Sequence, residues 1–450
     1  MKPITVQELV SAVHGELLQG GAAAFDAVST DSRSVPAGAL FLPIAGERFD
    51  GHDYIDKALA AGAAGCLCSR VPDTLQAGKF YVRVADTLLA YKDLAAWYRD
   101  QFDFPLVQVT GSVGKTTTKE MIASVLSQKY KTLKTEANYN NEIGTPMTLL
   151  RLDDSYEAAV IETGMDRAGQ IRYLGEMVKP TVAVITNIGD MHIEYLGSRE
   201  GIFRAKCEIF ENLAPDGIAV LNGDDEWLGR VCLPQEIVTA GTMPHCAAHV
   251  TDIRDRGIDG ISCTVTTNEA RYALSIPAPG AHMVYPASTA VAVGEALGLT
   301  VDEITRGVAA YEPAGARMRV VPLSDNRRLL DDCYNAGPQS MRAALEVLAR
   351  SEGATAAVLG DMAELGELTA SAHREMGALA KSLGVGKVIA VGRKAKDIAE
   401  AADGDWYATV DEALPAIKSA FAPDTAMLVK ASHSMHFEKI TEELTKEFKA

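Results

Sequence analysis

Residues 111–116 read Gly-Ser-Val-Gly-Lys-Thr. They stand between a short apolar run, Phe104 to Thr110, and a segment with apolar residues at helical spacing, Met121, Ile122, Val125 and Leu126. Glycines let a backbone curl until its N–H groups converge on phosphate oxygens, and the new helix adds its positive N-terminal end. In such a loop Lys115 reaches the β- and γ-phosphates and the Thr116 hydroxyl offers oxygen to Mg²⁺. Two residues separate the glycines where the general phosphate loop has four, so this is a shortened variant. At ordinary residue frequencies the pattern arises by chance about 0.02 times in a chain of this length. Gly111, Ser112, Val113, Gly114, Lys115, Thr116 and Thr117 are therefore the predicted cradle for a nucleoside triphosphate.

Two further residues bear on the reaction. Glu162 ends the apolar run Ala-Ala-Val-Ile-Glu, and His192 follows the run that ends Ile-Thr-Asn at 187. In doubly wound sheets ligands gather outside the carboxyl ends of the strands, where Lys115, Glu162 and His192 would all fall. The oxygens of Thr116 and Glu162 suit Mg²⁺; an imidazole suits it less and points to a second metal, less tied to the nucleotide. The plainer readings, a helix-capping Glu162 and a surface His192, stand level with these on residue type alone.

The elements that must position these groups fall into three stretches. Residues 1–103 mix short β-like runs with turn chemistry at Pro36, Gly38, Gly46 and Gly51, and end in a helical segment before Pro105. From 104 to 313 apolar, β-branched runs at 158–162, 181–187 and 217–222 alternate with helical segments, the pattern of buried parallel strands. The segment 246–276 alternates more and predicts antiparallel strands added to that sheet. Tyr311 to Arg317 reads as a hinge, and over 314–450 the α/β alternation restarts as a second Rossmann-like unit. The expected fold class is α/β in three domains: 1–103, 104–313 and 314–450, each with its own core.

Composition narrows the function. The 450 residues carry 43 Lys and Arg against 60 Asp and Glu, a net charge of −17, the opposite of what a nucleic-acid-gripping surface needs. No apolar run is long enough to span a membrane and no secretory h-region opens the chain, so a cytoplasmic protein without membrane insertion is expected. Seven cysteines without a CxxC pair suit a reducing compartment and argue against a zinc ribbon. An anionic ligand must then be met by a few aimed cations and backbone amides.

The strings VTGSVGKTTT, NYNNEIGTP, VIETGM, TNIGDMHIEYLGS and REGIFRAKCEIF resemble the central domain of the Mur ligases, the ATP-dependent amide-forming enzymes of peptidoglycan precursor synthesis. TDSRSVPAGALFLPIAGERFDGHDYIDKALAAGA resembles their uridine-nucleotide domain. LLDDCYNAGPQSMRAAL, AVLGDMAELGE and LVKASHSMHFEKI resemble the last-acting member. The resemblance implies a small α/β UDP-substrate domain, a central doubly wound P-loop sheet, and a C-terminal Rossmann-like domain that closes over them. It also implies a reaction. The terminal carboxylate of UDP-MurNAc-tripeptide attacks the γ-phosphate of ATP, and the amine of D-Ala-D-Ala then attacks the acyl phosphate.

The same resemblance assigns roles. Thr116 and Glu162 hold one Mg²⁺ and His192 helps hold a second. Lys206 matches the lysine that the family carbamylates, although by residue type it would be a solvated helix-face lysine. The family places an asparagine near the phosphates, here Asn140 or Asn141, of which Asn141 is carried forward. Arg317 and Asp332 reach ATP from the C-terminal domain. Ser32 and Arg33 (beside Asp31), with Asp50, Gly51 and His52, match the uridine-diphosphate region. The chain departs from the pattern at Met283 and Pro286, at Cys333 and Gly337, and at Ala431 and His433. A monomer is expected. The competing functions are another amide ligase of the superfamily (tripeptide-forming or folylpolyglutamate synthase-like) and a P-loop ATPase without ligase activity.

Overall fold

A computed structural model describes residues 1–46, 49–191 and 193–449. Among the described residues three large sheets organise the chain, beside an antiparallel pair of two-residue strands, Ile4–Thr5 and Ala24–Phe25. The central one has nine strands, in spatial order Arg271–Ile276, Ile261–Thr266, Ala248–Asp255, Glu236–Gly241, Ile218–Asn222, Val182–Ile185, Leu106–Thr110, Ala158–Glu162 and Thr132–Lys134. From Ala248–Asp255 onward neighbours pair parallel, and the two strands beyond it are antiparallel, as the alternating segment 246–276 predicts. Leu106–Thr110, Ala158–Glu162 and Val182–Ile185 are buried along their whole length, because helices cover both faces. After Leu106–Thr110 the chain builds outward on one side of this strand and then returns to build on the other. The phosphate loop therefore opens at a topological switch point, where a doubly wound sheet leaves a crevice.

The N-terminal sheet has five short strands, ordered Glu16–Gln19, Phe80–Arg83, Gly65–Cys68, Leu40–Phe41 and Val28–Ser29; all but the first pair are parallel. The C-terminal sheet has six, ordered Arg319–Pro322, Arg328–Asp331, Thr425–Lys430, Ala354–Gly360, Lys387–Val391 and Asp405–Tyr407, with only the first pair antiparallel. The mixed α/β class matches the expectation.

Beside a small core of their own around Phe41, Ile55, Leu59, Cys66 and Tyr81, the first hundred residues share a second one with the central unit. A single apolar cluster runs from Leu9, Leu40 and Phe80 through Tyr91, Leu94 and Tyr98 to Leu133, Leu149, Ala159 and Leu174. The helix Thr87–Arg99 is the seam. The Tyr98 hydroxyl donates to the carbonyl of Leu152 at 2.6 Å, and Arg99 donates to the carbonyl of Val178 at 3.2 Å. Removing residues 1–100 would expose the central unit's side of this seam and leave the other apolar clusters of that unit untouched.

The C-terminal unit meets the central one closely. A Cβ added at Gly189 would lie 2.5 Å from the Gln339 side chain, and one at Gly337 would lie 2.8 Å from the Met191 sulfur. Glycine at these two points lets the backbones approach.

Candidate active site

The site is a cleft of about 790 Å³ between the central and C-terminal units. Its floor is the loop between Leu106–Thr110 and the helix Lys115–Leu126. Gly114 precedes the helix with φ +84°, a left-handed conformation that costs glycine little. Gly111 has φ +151°, and a Cβ there would lie 1.8 Å from the Thr186 hydroxyl. That hydroxyl donates to the carbonyl of Val113 at 2.6 Å. The Asn187 side chain brackets the same residue: its amide donates to the Val113 carbonyl at 2.9 Å, and its oxygen accepts the Val113 N–H at 3.0 Å. The Ser112 N–H reaches the Asn187 carbonyl, and the Ser112 hydroxyl accepts the Gly189 N–H. The loop is thus held from outside by 186–189, which leaves its cleft-facing N–H groups for a ligand. Thr186 and Asn187 were not singled out in the sequence, although they end the strand run that carries them.

Lys115 is half-buried, and its ammonium donates to the carbonyls of Gly111 at 2.9 Å and Ser112 at 3.4 Å. Burial lowers its pKa; the Glu162 carboxylate opposes that and the Arg317 charge adds to it. Thr116, 3% exposed, donates its hydroxyl to Glu162 at 2.7 Å, and Glu162 is 1% exposed. The other Glu162 oxygen accepts the Asn140 side-chain amide at 2.8 Å, while its own N–H donates to the Thr135 hydroxyl at 3.0 Å. Glu162 is therefore aimed at the loop, and the helix-capping reading fails. Asn141, the asparagine expected near the phosphates, lines the cleft beside Asn140. It is exposed, and its side-chain oxygen takes the N–H groups of Ile143 and Gly144 at 3.1 and 2.9 Å, where the helix Gly144–Leu149 begins. Asn140 is the asparagine that touches Glu162.

Lys206 lies in the helix Arg199–Cys207 and is 1% exposed, not solvated as its residue type suggests. Burial pushes its ammonium well below the usual lysine range, and the Lys115 charge pushes the same way. Among the described residues no carboxylate pairs with it. His192 lies outside the described residues. Among those described, no three His, Cys, Asp or Glu side chains converge as a metal cage. Mg²⁺ does not need one, since it is commonly held by one or two protein oxygens together with substrate phosphates and water. The buried Thr116–Glu162 pair is an oxygen donor set of that kind.

The C-terminal unit supplies the opposite wall. The Arg317 guanidinium stacks on the Tyr334 ring, 3.9 Å from its centre. Asp332 accepts the Lys430 ammonium at 2.6 Å and the Met318 N–H at 3.0 Å. Lys430, 2% exposed, also donates to the carbonyl of Asn335. Sequence reasoning missed Lys430 because its partner is 98 residues away. One arm of the cleft is apolar, with Ala278, Pro279, Met283, Pro286 and the Tyr285 ring. At its base the Asp224 carboxylate accepts N–H groups from Thr242 and Met243 and the Tyr285 hydroxyl at 3.0 Å. Burial works to raise that carboxyl, and these donors outweigh it.

Ser32, Arg33, Asp50, Gly51 and His52 do not line this cleft. Arg33 and Asp31 form an exposed ion pair at 2.7 Å. The Ser69 N–H donates to His52 Nε2 at 2.9 Å, so Nε2 carries the lone pair and Nδ1–H donates to Asp50 at 2.6 Å. Gly51 fits where a Cβ would lie 2.6 Å from the Ile44 nitrogen. Asp50, Gly51 and His52 thus have a local structural account, one that rigidifies a turn.

Comparison with known proteins adds the decisive observation. Three family models match along the chain: Mur ligase family, catalytic domain, over 24–99; Mur ligase middle domain over 109–294; and Mur ligase, glutamate ligase domain, over 316–433. The UDP-N-acetylmuramoyl-tripeptide–D-alanyl-D-alanine ligase of Escherichia coli K12 is 37% identical over 456 aligned residues, covering 99% of each chain. This chain belongs to the Mur ligase family. Among solved structures, MurF from Acinetobacter baumannii superposes with a TM-score of 0.93 at 33% identity, again over 99% of both chains. The MurF ligase from Thermotoga maritima in complex with ADP gives 0.83 at 27% identity, over 94% of this chain and 97% of that one. In this Mur ligase the central match begins inside the strand that feeds the phosphate loop, and the third match begins at the hinge before Arg317.

Proposed function

We propose that this Mur ligase joins D-alanyl-D-alanine to UDP-N-acetylmuramoyl-tripeptide, with ATP converted to ADP and phosphate through an acyl-phosphate intermediate. It is an ATP-dependent peptide ligase of the MurF type. The observation that carries the substrate assignment is whole-length similarity to relatives named for this reaction, combined with a cleft whose donors come from two units.

The chemistry brings two anions together, a carboxylate and a γ-phosphate, so offsetting charge dominates the barrier. In this reading Gly111 to Thr117 form the phosphate cradle, with the Ser112 and Val113 N–H groups held by Asn187 and the loop's other N–H groups left for phosphate oxygens, and Lys115 turns from the loop carbonyls to the β- and γ-oxygens. Arg317, stacked on Tyr334, faces the transferring phosphoryl group from the other side, and Asp332, fixed by Lys430, orders the wall that carries it. Asn140 orients Glu162. Thr116 and Glu162 would hold Mg²⁺, which when bound neutralises phosphate charge. His192 and a carbamylated Lys206 would hold a second ion. Carbamylation needs a neutral amine, which attacks CO₂, forms an N–C bond and releases a proton. The depressed basicity of Lys206 supports that step.

The apolar arm around Tyr285 suits the adenine base. Residues 1–103, through Ser32, Arg33 and the 50–52 turn, are assigned to the UDP moiety, 104–313 to ATP, and 314–450 to the incoming dipeptide. A single chain carries every group invoked, which fits a monomer. ATP and a nucleotide-linked precursor fit the cytoplasm. No helix of the described residues is long and apolar enough to cross a membrane.

The test is product analysis by mass spectrometry after mixing the protein with Mg-ATP, UDP-MurNAc-tripeptide and D-Ala-D-Ala. Pentapeptide precursor and ADP are expected in equal amounts. ATP hydrolysis without ligation, or ligation of glutamate in place of the dipeptide, would overturn the assignment.

A further inference from the structure

One cation of the helix Lys115–Leu126 has no part in the steps above. Lys119 sits one helical turn beyond Lys115, yet it is fully buried and does not line the cleft. Its ammonium donates to the carbonyl of Thr135 at 2.6 Å and pairs with the Glu120 carboxylate at 2.7 Å. Glu120 is buried as well and takes a second cation, Lys134. Thr135 follows the edge strand Thr132–Lys134 and is fully buried. Each of its polar groups is engaged. The N–H donates to the carbonyl of Val160 at 3.1 Å, the carbonyl accepts Lys119, and the hydroxyl accepts the Glu162 N–H at 3.0 Å. The chain then runs on to Asn140, whose amide holds the Glu162 carboxylate.

These contacts close a ring. Thr116 reaches the Glu162 carboxylate directly, and Lys119, further along the same helix, reaches the Glu162 backbone through Thr135. Glu162 is thus held at its side chain and at its main chain from one helix, the helix that follows the phosphate loop. Stability alone is a poor reason for an ammonium here. Taking an ammonium and a carboxylate out of water carries a large desolvation penalty, which their pairing offsets only in part, and a well-packed apolar pair commonly serves folding as well or better. An apolar side chain cannot, however, hold a carbonyl oxygen in place. We propose that Lys119 is a positioning residue: through Thr135 it keeps the Glu162 carboxylate in register with Thr116, so that the oxygen pair is set before a divalent cation arrives. This rests on the reading of Thr116 and Glu162 as the Mg²⁺ donors and adds to it the residue that presets them. A donor set ordered in advance spares the cation the cost of arranging it.

The experiment measures the affinity for the β,γ-imido analogue of ATP by calorimetry, once with Mg²⁺ and once with EDTA, in the unaltered chain, Lys119→Met and Thr135→Val. Methionine keeps the length of the side chain and removes the ammonium. Valine keeps the shape of threonine and removes the hydroxyl that accepts the Glu162 N–H. Groups that orient metal ligands are worth about 10- to 100-fold in metal affinity, so both variants should lose about that factor from the gain that Mg²⁺ gives, while staying within about twofold of the unaltered chain in EDTA. Glu120→Gln weakens the ion pair but leaves the bond from Lys119 to Thr135, so it should melt lower and keep the Mg²⁺ gain. If Lys119→Met loses affinity equally in both buffers, the residue supports the phosphate loop as a whole and the proposal falls. If it keeps the full Mg²⁺ gain, Glu162 does not depend on it and the proposal also falls. Should Lys119→Met fail to fold, an undiminished gain in Thr135→Val breaks the route to Glu162 and overturns the proposal by itself. If the unaltered chain gains nothing from Mg²⁺, the reading of Thr116 and Glu162 as its donors falls, and this inference with it.

Discussion

Replacing Lys206 with methionine tests the least expected feature of the site. The lysine is 1% exposed, has no carboxylate partner among the described residues and lies near enough to Lys115 for the two charges to repel. In the unfolded chain its amine titrates near about 10.4; in the folded chain it titrates well below that. Between these two values the unfolded chain holds a proton that the folded chain has released. Native stability therefore rises with pH across that window, by up to about 1.4 kcal/mol per pH unit, and the penalty of the buried charge is gone above about 10.4. Methionine has similar length and no charge, so its chain lacks this dependence. Lys115, also depressed, is common to both chains and largely cancels in the difference. In CO₂-free buffer Lys206→Met should be the more stable chain at neutral pH, and the gap should close at that slope as pH climbs toward 10. Urea unfolding read at Trp227 makes the comparison local, because that ring lies 5.9 Å from Phe203 of the same helix. Trp97→Phe and Trp406→Phe, introduced in both chains, leave Trp227 as the sole tryptophan of the three. Added bicarbonate should stabilise the lysine chain alone. Parallel pH curves with a constant offset would mean that Lys206 is not held in its neutral form, and the carbamylation step would lose its basis.

Two further substitutions examine the phosphate loop. Gly111→Ala places a Cβ against the Thr186 hydroxyl and must displace the bond to Val113; overpacking of about 1–3 kcal/mol corresponds to ADP binding weakened roughly 10- to 100-fold by calorimetry. Unchanged affinity would mean that the nucleotide does not use this loop conformation. Asn140→Ala should slow ATP-dependent turnover with little effect on stability, whereas Asn141→Ala should cost about 1 kcal/mol of stability and leave turnover near normal. Kinetics and melting together check this, and the reverse pattern would return the role to Asn141.

Legibility in the sequence followed physical range. The strand, glycine turn and helix around 106–126 could be read because each depends on neighbours in the chain, and the continuous apolar runs at 158–162, 182–185 and 218–222 signal strands buried on both faces. Short strands escaped: Arg319–Pro322 and Asp405–Tyr407 have too few residues for a period, and the helix Val410–Ala420 contains Pro415. Adjacent asparagines 140 and 141 differ in nothing local; only the turn into the next helix sends one to Glu162 and the other to its own backbone. Lysine statistics pointed Lys206 outward, yet the helix that carries it packs Ile202, Ala205 and Lys206 inward together.

The residues that stayed hidden share one property: their meaning depends on a partner in another unit or far along the chain. Lys430 reads as the end of a strand until Asp332 meets it across 98 residues, and Thr186 and Asn187 read as the end of another until they bracket Val113. That is what a ligase of this kind requires. Had every cation and carboxylate stood on the central unit, ATP would be fully activated before the acceptor and amine were enclosed, and water would compete for the acyl phosphate. Dividing the charges between two units ties the completed constellation to closure, so that the arrangement able to form the reactive anhydride is also the one that shields it.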